Sequence, residues 1–228
     1  MPFMINDPTW ILIIPAMIFA LWAQFKVKST FNKYGKISSS RRITGAQVAK
    51  YLLSQNGISQ VEVTRVAGSL TDHYDPRNLK LALSEDVFDS TSLAAIGVAA
   101  HETGHAIQHH QGYLPIRLRN SVVPVVNIGS FMAMPLFILG LFMASPKLMD
   151  IGILLFLGVI LFHALTLPVE LNASIRAIRI LSEGHYLVGD EITGAKKVLQ
   201  AAAMTYIAAA AMAVMQLIRL LILRGNRD

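Results

Sequence analysis

The chain has 228 residues, of which 54% are hydrophobic and only 15% charged, with a mean hydropathy of +0.50 and a formal net charge of +6. Soluble globular chains carry roughly 45–50% apolar and about 25% charged residues, so an ordinary soluble enzyme and a disordered chain are both excluded. Cysteine is absent, which removes disulfide scaffolds and thiolate metal sites.

The charge-free intervals say where the apolar excess sits. Asp7 and Lys26 are separated by 18 uncharged residues, Arg119 and Lys147 by 27, Asp150 and Glu170 by 19, and Lys197 and Arg219 by 21. A membrane-spanning helix needs about 20 predominantly apolar residues, so four spans are expected, over residues 8–25, 121–142, 151–168 and 198–218. The first lacks the basic n-region of a cleavable signal peptide and reads as a retained anchor, with Trp10 and Trp22 near its two ends. Residues 26–120 and 170–197 form the polar portions on one side of the membrane, and together they hold 16 of the 20 Lys and Arg residues. The positive-inside rule makes that side cytoplasmic. The cluster Lys26, Lys28, Lys33, Lys36, Arg41 and Arg42 directly follows the first span, and this points to the lipid bilayer rather than to nucleic acid. Arg224 and Arg227 fall on the opposite side, which a fourth helix that does not fully cross would accommodate.

Within 26–120 the elements follow in order. Thr44 caps a helix over residues 45–55, which Asn56-Gly57 stops. Val61, Val63 and Val66 alternate with polar residues as a strand, residues 70–74 run up to the breaker Asp75-Pro76-Arg77-Asn78, and Leu79, Leu81 and Leu83 mark a further strand. Ser90 or Ser92 then caps a long helix over residues 93–111.

That helix contains His101-Glu102-Thr103-Gly104-His105. Residues i and i+4 share one helix face, so two imidazoles there can hold one zinc ion, and Glu102 sits at the edge of the same face as a general base for a zinc-activated water. Gly104 weakens the helix by about 1 kcal/mol relative to Ala, and the return is close approach of another backbone. A catalytic zinc needs a third protein ligand and an open position. Gln108 and Gln111 stand where the longer HExxHxxGxxH arrangement needs Gly and His, so His109 and His110 read as polar or interfacial residues. The better third ligand is Glu170, at the end of the third span and on the same membrane side as His101, with Asn172 and Ser174 supplying hydrogen bonds to the ligands. His73 is a candidate for the substrate cleft or the oxyanion, with Arg176 as a comparable one; the bland alternative for His73 is a solvated turn. His163 within the third span reads as a neutral histidine hydrogen-bonded between helices, and His185 as part of a polar surface loop.

His101-Glu-Thr-Gly-His-Ala-Ile-Gln108, Pro168-Val-Glu-Leu-Asn-Ala-Ser174, Thr71-Asp-His-Tyr-Asp-Pro-Arg77 and Ala201-Ala-Ala-Met-Thr-Tyr206 together resemble the YugP-type neutral zinc metallopeptidases of bacterial membranes, over nearly the whole chain. The resemblance implies a gluzincin-like site with His101, His105 and Glu170 as ligands and Glu102 as base. The arrangement is also similar to membrane-embedded peptidases related to the CAAX-processing enzymes, in which the Glu ligand is followed by Ala-Asp; this chain has Ala173-Ser174 instead.

The expectation is therefore a predominantly α membrane protein, a single peptidase domain over residues 1–228, with about four transmembrane helices and a small α+β zincin-like portion carrying the HExxH helix. Its function is that of a membrane-anchored zinc endopeptidase holding one Zn²⁺ per chain and cutting peptides or membrane proteins near the cytoplasmic surface. The competing readings are a metal transporter or sensor, which would place several charged or His residues deep in the spans where only His163 is found, and a catalytically silent scaffold, which has no use for Glu102.

Overall fold

The computed structural model describes residues 8–225. Residues 1–7, which carry part of the anchor reading, and residues 226–228, including Arg227, lie outside the described residues. The elements are α1 (Trp10–Tyr34), α2 (Gly45–Gln55), β1 (Glu62–Val66), β2 (His73–Asp75), β3 (Lys80–Ser84), α3 (Glu85–Phe88), α4 (Leu93–His110), α5 (Leu114–Phe142), α6 (Pro146–Glu183) and α7 (Asp190–Gly225). Helices α1, α5, α6 and α7 are the four described helices long and apolar enough to cross a membrane. In each, only 17% of the most apolar window is buried within the protein, so the apolar surface faces outward, as lipid requires.

These helices outrun the spans that charge alone delimits. Helix α1 continues past Lys26 to Tyr34, and α6 passes Pro168 and Glu170 to end at Glu183, so most of the expected polar segment 170–197 is helix. A charge ends the stretch that hydrocarbon accepts, but it breaks no backbone hydrogen bond. The chain turns only at residues 184–189, where His185 and Gly189 take left-handed φ of 53° and 54°. Glu191 holds that turn, accepting from Val188 N at 3.1 Å and from Ser40 N at 2.7 Å.

The chain divides into two compact units. Among the described residues, one comprises 8–24, 118–167 and 205–225. Its core is built from Ala133, Phe137, Met149, Ile153, Phe156 and Leu220. Gly152 lets α6 close on α5, since a Cβ there would lie 2.8 Å from Ala133 O. Asp150 pairs with Arg224 Nε at 2.8 Å. His163 departs from the expected interhelical hydrogen bond: its ring packs edge-on against Phe162 and lines a cavity of about 430 Å³ with Gln24, Thr205 and Gln216.

The other unit comprises residues 25–117 and 168–204. Its sheet has the order β1-β3-β2, with β1 parallel to β3 (Val63 opposite Leu81) and β2 antiparallel to it (His73 opposite Ala82). The central strand β3 is buried from Leu81 to Ser84 rather than alternating, because both its faces are covered. Its leucines join Ala49, Leu53, Val87, Ala95, Ala99 and Ile107 in one core. Helix α2 starts with a reciprocal capping box: Gln47 N donates to Thr44 Oγ1 at 3.2 Å, and Thr44 N donates to Gln47 Oε1 at 2.9 Å. Helix α4 is capped by Ser92, whose Oγ accepts from Ala95 N at 3.2 Å. The short helix α3 has no counterpart in the sequence reading, since four residues are too few to show a period.

Helix α4 approaches α6 through Gly104. A Cβ at that position would lie 2.9 Å from Ala173 O, closer than packed Cβ atoms come, and 3.3 Å from Ala173 Cα, a tight contact. The same construction at Gly97 meets Ala195 Cβ at 3.4 Å, an ordinary contact. Gly104→Ala is therefore expected to lower the thermal midpoint of the detergent-solubilised protein by several degrees, even though alanine favours a helix by about 1 kcal/mol. Gly97→Ala should leave the midpoint unchanged or raise it, as a thermal unfolding series on both variants would record.

Candidate metal centre

The site is assembled from two helices of the polar unit. Helix α4 presents His101 and His105 one turn apart, with ring centroids 4.7 Å apart and planes at 84°. Helix α6 inserts Glu170 between them, with Oε2 3.2 Å from His101 Nε2 and 3.3 Å from His105 Nε2. One ligand atom from each residue lies within 4.8 Å of the others, and all three side chains are largely withdrawn from solvent. Two imidazole nitrogens and one carboxylate oxygen are the donor set that zinc takes in many hydrolytic sites, with room left for a fourth position.

Each histidine is held from behind by its other ring nitrogen. His101 Nδ1 and Ser174 Oγ share a hydrogen bond of 3.1 Å. His105 Nδ1 donates to Gln108 Oε1 at 3.0 Å. The Gln108 amide cannot turn round, because its Nε2 donates to Val169 O at 2.9 Å and to Asn172 Oδ1 at 2.9 Å, and a carbonyl oxygen can only accept. Its Oε1 must therefore face His105, which places a proton on Nδ1 and makes Nε2, the nitrogen facing Glu170, the one that would bind a metal. Gln108 is fully buried. It is the residue that the sequence reading missed, noted only as a mismatch to another motif. The available signal was its position three residues after His105, on the same helix face.

The remaining candidates fall into place around this core. Ser174 touches a histidine directly, whereas Asn172 acts one bond further out, through Gln108. Arg176 is committed to the protein: Nε donates to Asn172 Oδ1 at 2.7 Å, Nη1 donates to Gln111 Oε1 at 2.6 Å, and the guanidinium lies over the Tyr113 ring. His73 is exposed on β2, with its Nδ1 2.8 Å from Thr71 O. Its neighbour Tyr74 meets His109 Nδ1 through its hydroxyl at 2.8 Å, which gives His109 a polar partner.

Glu102 is buried to 9% exposure, next in sequence to one histidine. Asp72 is close enough to feel its charge. Burial, reinforced by Glu102, pushes the Asp72 carboxyl above its usual range against the opposing bonds from Ser84 N (2.8 Å) and Ser84 Oγ (3.0 Å). Around His105 the field runs the other way. Burial disfavours its imidazolium, but the hydrogen bond to Glu170 and the charges of Glu102 and Glu170 outweigh that and raise its pKa. The centre thus favours positive charge where the two Nε2 atoms and the Glu170 carboxylate converge.

Residues 9–225 match the family described as "Putative neutral zinc metallopeptidase". The chain belongs to that family. It is 45% identical over 218 residues to "Putative membrane protease YugP" of Bacillus subtilis (strain 168), an alignment that covers 95% of this chain and 97% of that protein. No solved structure matches. The family and the donor set agree on zinc as the metal, one ion at the His101, His105 and Glu170 group. Gln108→Leu removes the acceptor that aims His105 without touching a candidate ligand. It is expected to weaken zinc binding about 10–100-fold, measured by competition with a chromophoric chelator.

Proposed function

We propose that this chain is a membrane-anchored endopeptidase in which His101, His105 and Glu170 hold one zinc ion and Glu102 is the general base. The observation that carries the reading is the convergence of Glu170 Oε2 on both His Nε2 atoms, at 3.2 and 3.3 Å, beside a buried carboxylate that is not part of the ligand group. Zinc, when bound, supplies a Lewis acid that polarises the scissile carbonyl and acidifies water. Glu102 takes a proton from the attacking water and delivers it to the departing amine nitrogen, roles for which a carboxylate near the metal but outside its ligand group is suited. Gln108 and Ser174 keep both imidazoles aimed throughout, and the burial of the centre keeps the charges of Glu102 and Glu170 from being screened by solvent. His73 stands on β2, one of the two edge strands of the sheet, as a candidate contact for the substrate or the oxyanion. Arg176 serves through its bonds to Asn172 and Gln111.

The substrates are peptides or membrane proteins, and the whole chain acts as one peptidase domain with its active site on the cytoplasmic side. The distribution of basic residues supports that sidedness.

Glu102→Gln is expected to lower kcat/KM by about 10²–10⁴-fold while zinc content, read by elemental analysis, stays at the parent level. Full peptidase activity in that variant would sink the general-base assignment. The absence of cysteine makes sidedness directly measurable. A His185→Cys variant should react with an impermeant thiol reagent only after the membrane is opened, whereas Lys147→Cys should react in intact cells. The reverse pattern would place the site outside.

A further inference from the structure

A groove of about 460 Å³ runs between α6 and α7 in the polar unit. Its walls are apolar: Leu171, Ile175 and Ile178 from α6, Leu199 and Ala203 from α7. At one end stand two cations, Arg179 and Lys196, and no acidic residue lines it. Neither cation has an ion pair or side-chain hydrogen bond among the described residues, and both are exposed. Two other arginines of this unit are already engaged. Arg176, one turn from the groove, is bound to Asn172 and Gln111, and Arg65 is paired with Asp89.

The order of residues gives the groove a direction. The two helices run antiparallel, so Leu171 lies at the level of Ala203 and Arg179 at the level of Lys196. Leu171 follows the uncharged interval of α6 by one residue, while Ala203 lies within that of α7. From there the groove rises about 12 Å along α6 to Arg179, at 1.5 Å per residue. That is roughly twice the depth of one headgroup region, a difference that long basic side chains reaching back towards the membrane reduce. One end is thus continuous with lipid-facing helix surface, and the other is cationic. The walls are helical, so their backbone amides and carbonyls are already paired and offer no edge to an extended peptide. An apolar slot closed by two unpaired cations suits an amphiphile with an anionic head.

We propose that this groove binds one anionic phospholipid, its phosphate between Arg179 and Lys196 and an acyl chain along Leu171, Ile175, Ile178 and Leu199. The site is independent of the peptidase reading, although the two share a wall: Ser174, which is hydrogen-bonded to His101 Nδ1, also lines the groove.

The test uses the delipidated full chain in detergent, titrated with phosphatidylglycerol, phosphatidylcholine or soluble glycerol phosphate and read by native mass spectrometry. One phosphatidylglycerol should bind in preference to both alternatives. The Arg179→Gln, Lys196→Gln double variant should weaken it about 10- to 30-fold, the expected effect of two lost juxtamembrane charges. The matched control Lys26→Gln, Lys28→Gln should change nothing. Ile175→Trp, at a site 66% exposed, fills the slot without altering charge and should also reduce binding. Thermal midpoints equal to the parent's keep misfolding out of the comparison. Equal retention of phosphatidylcholine, equal binding of glycerol phosphate alone, or an unchanged affinity in the double variant would each overturn the proposal. So would displacement of the lipid by an apolar peptide at stoichiometric concentration.

Discussion

The metal centre depends on one close contact between two helices, at Gly104. With no side chain there, the backbone of α4 comes within a Cβ's reach of Ala173 O, and that distance decides where everything else on α6 falls. Glu170 lies one turn before Ala173 and Ser174 immediately after it, so bringing Ala173 against α4 places a carboxylate between the two imidazoles and a hydroxyl behind one of them. A glycine is costly in mid-helix. Here its cost is offset by three polar contacts at the helix crossing that a Cβ at 104, 2.9 Å from Ala173 O, would push apart.

A buried group of two histidines and two glutamates needs its polar atoms satisfied or its charge balanced. The chain meets that requirement by direction rather than by screening. Gln108 gives both its amide protons to fixed oxygens and presents its own oxygen to His105, so one residue settles the tautomer of a histidine and ties α4 to α6 at Val169 and Asn172. Arg176 and Gln111 extend the same chain of bonds outward, which explains why a basic residue so close to the site is not free to act there. The hydroxyl of Ser174 lies 3.1 Å from His101 Nδ1 and holds that imidazole without adding charge to the centre.

Much of this was legible beforehand. The cap at Thr44, the stop at Asn56-Gly57 and a serine cap at Ser90 or Ser92 depend on residues within four positions of one another; the structure has the first two as read, adds Gln47 to make a capping box, and takes Ser92 for the third. Gly104 was legible as a position of close approach because nothing local rewards it. Other features were not. The α6 helix runs on through residues 170–183 because charge limits a span without limiting a helix, and β3 is buried on both faces because two layers cover it. Gln108 carried only a weak local signal, its place three residues after His105: an amide on a helix is neutral in propensity, and what fixes it comes from Val169 and Asn172, more than sixty residues away.

The sequence by itself determined the membrane setting, the four apolar helices and the pairing of His101 with His105 on one face, because each follows from composition or from the 3.6-residue period of a helix. It also singled out Glu170 by its chain position, but not by contact. Only the tertiary structure decided that Glu170 stands between the two imidazoles and that Gln108 rather than Asn172 steadies His105. Only it showed that Arg176 is bound while Arg179 is not. Hydrogen bonds reach about 3 Å, and which atoms come that close depends on how two helices distant in sequence are packed.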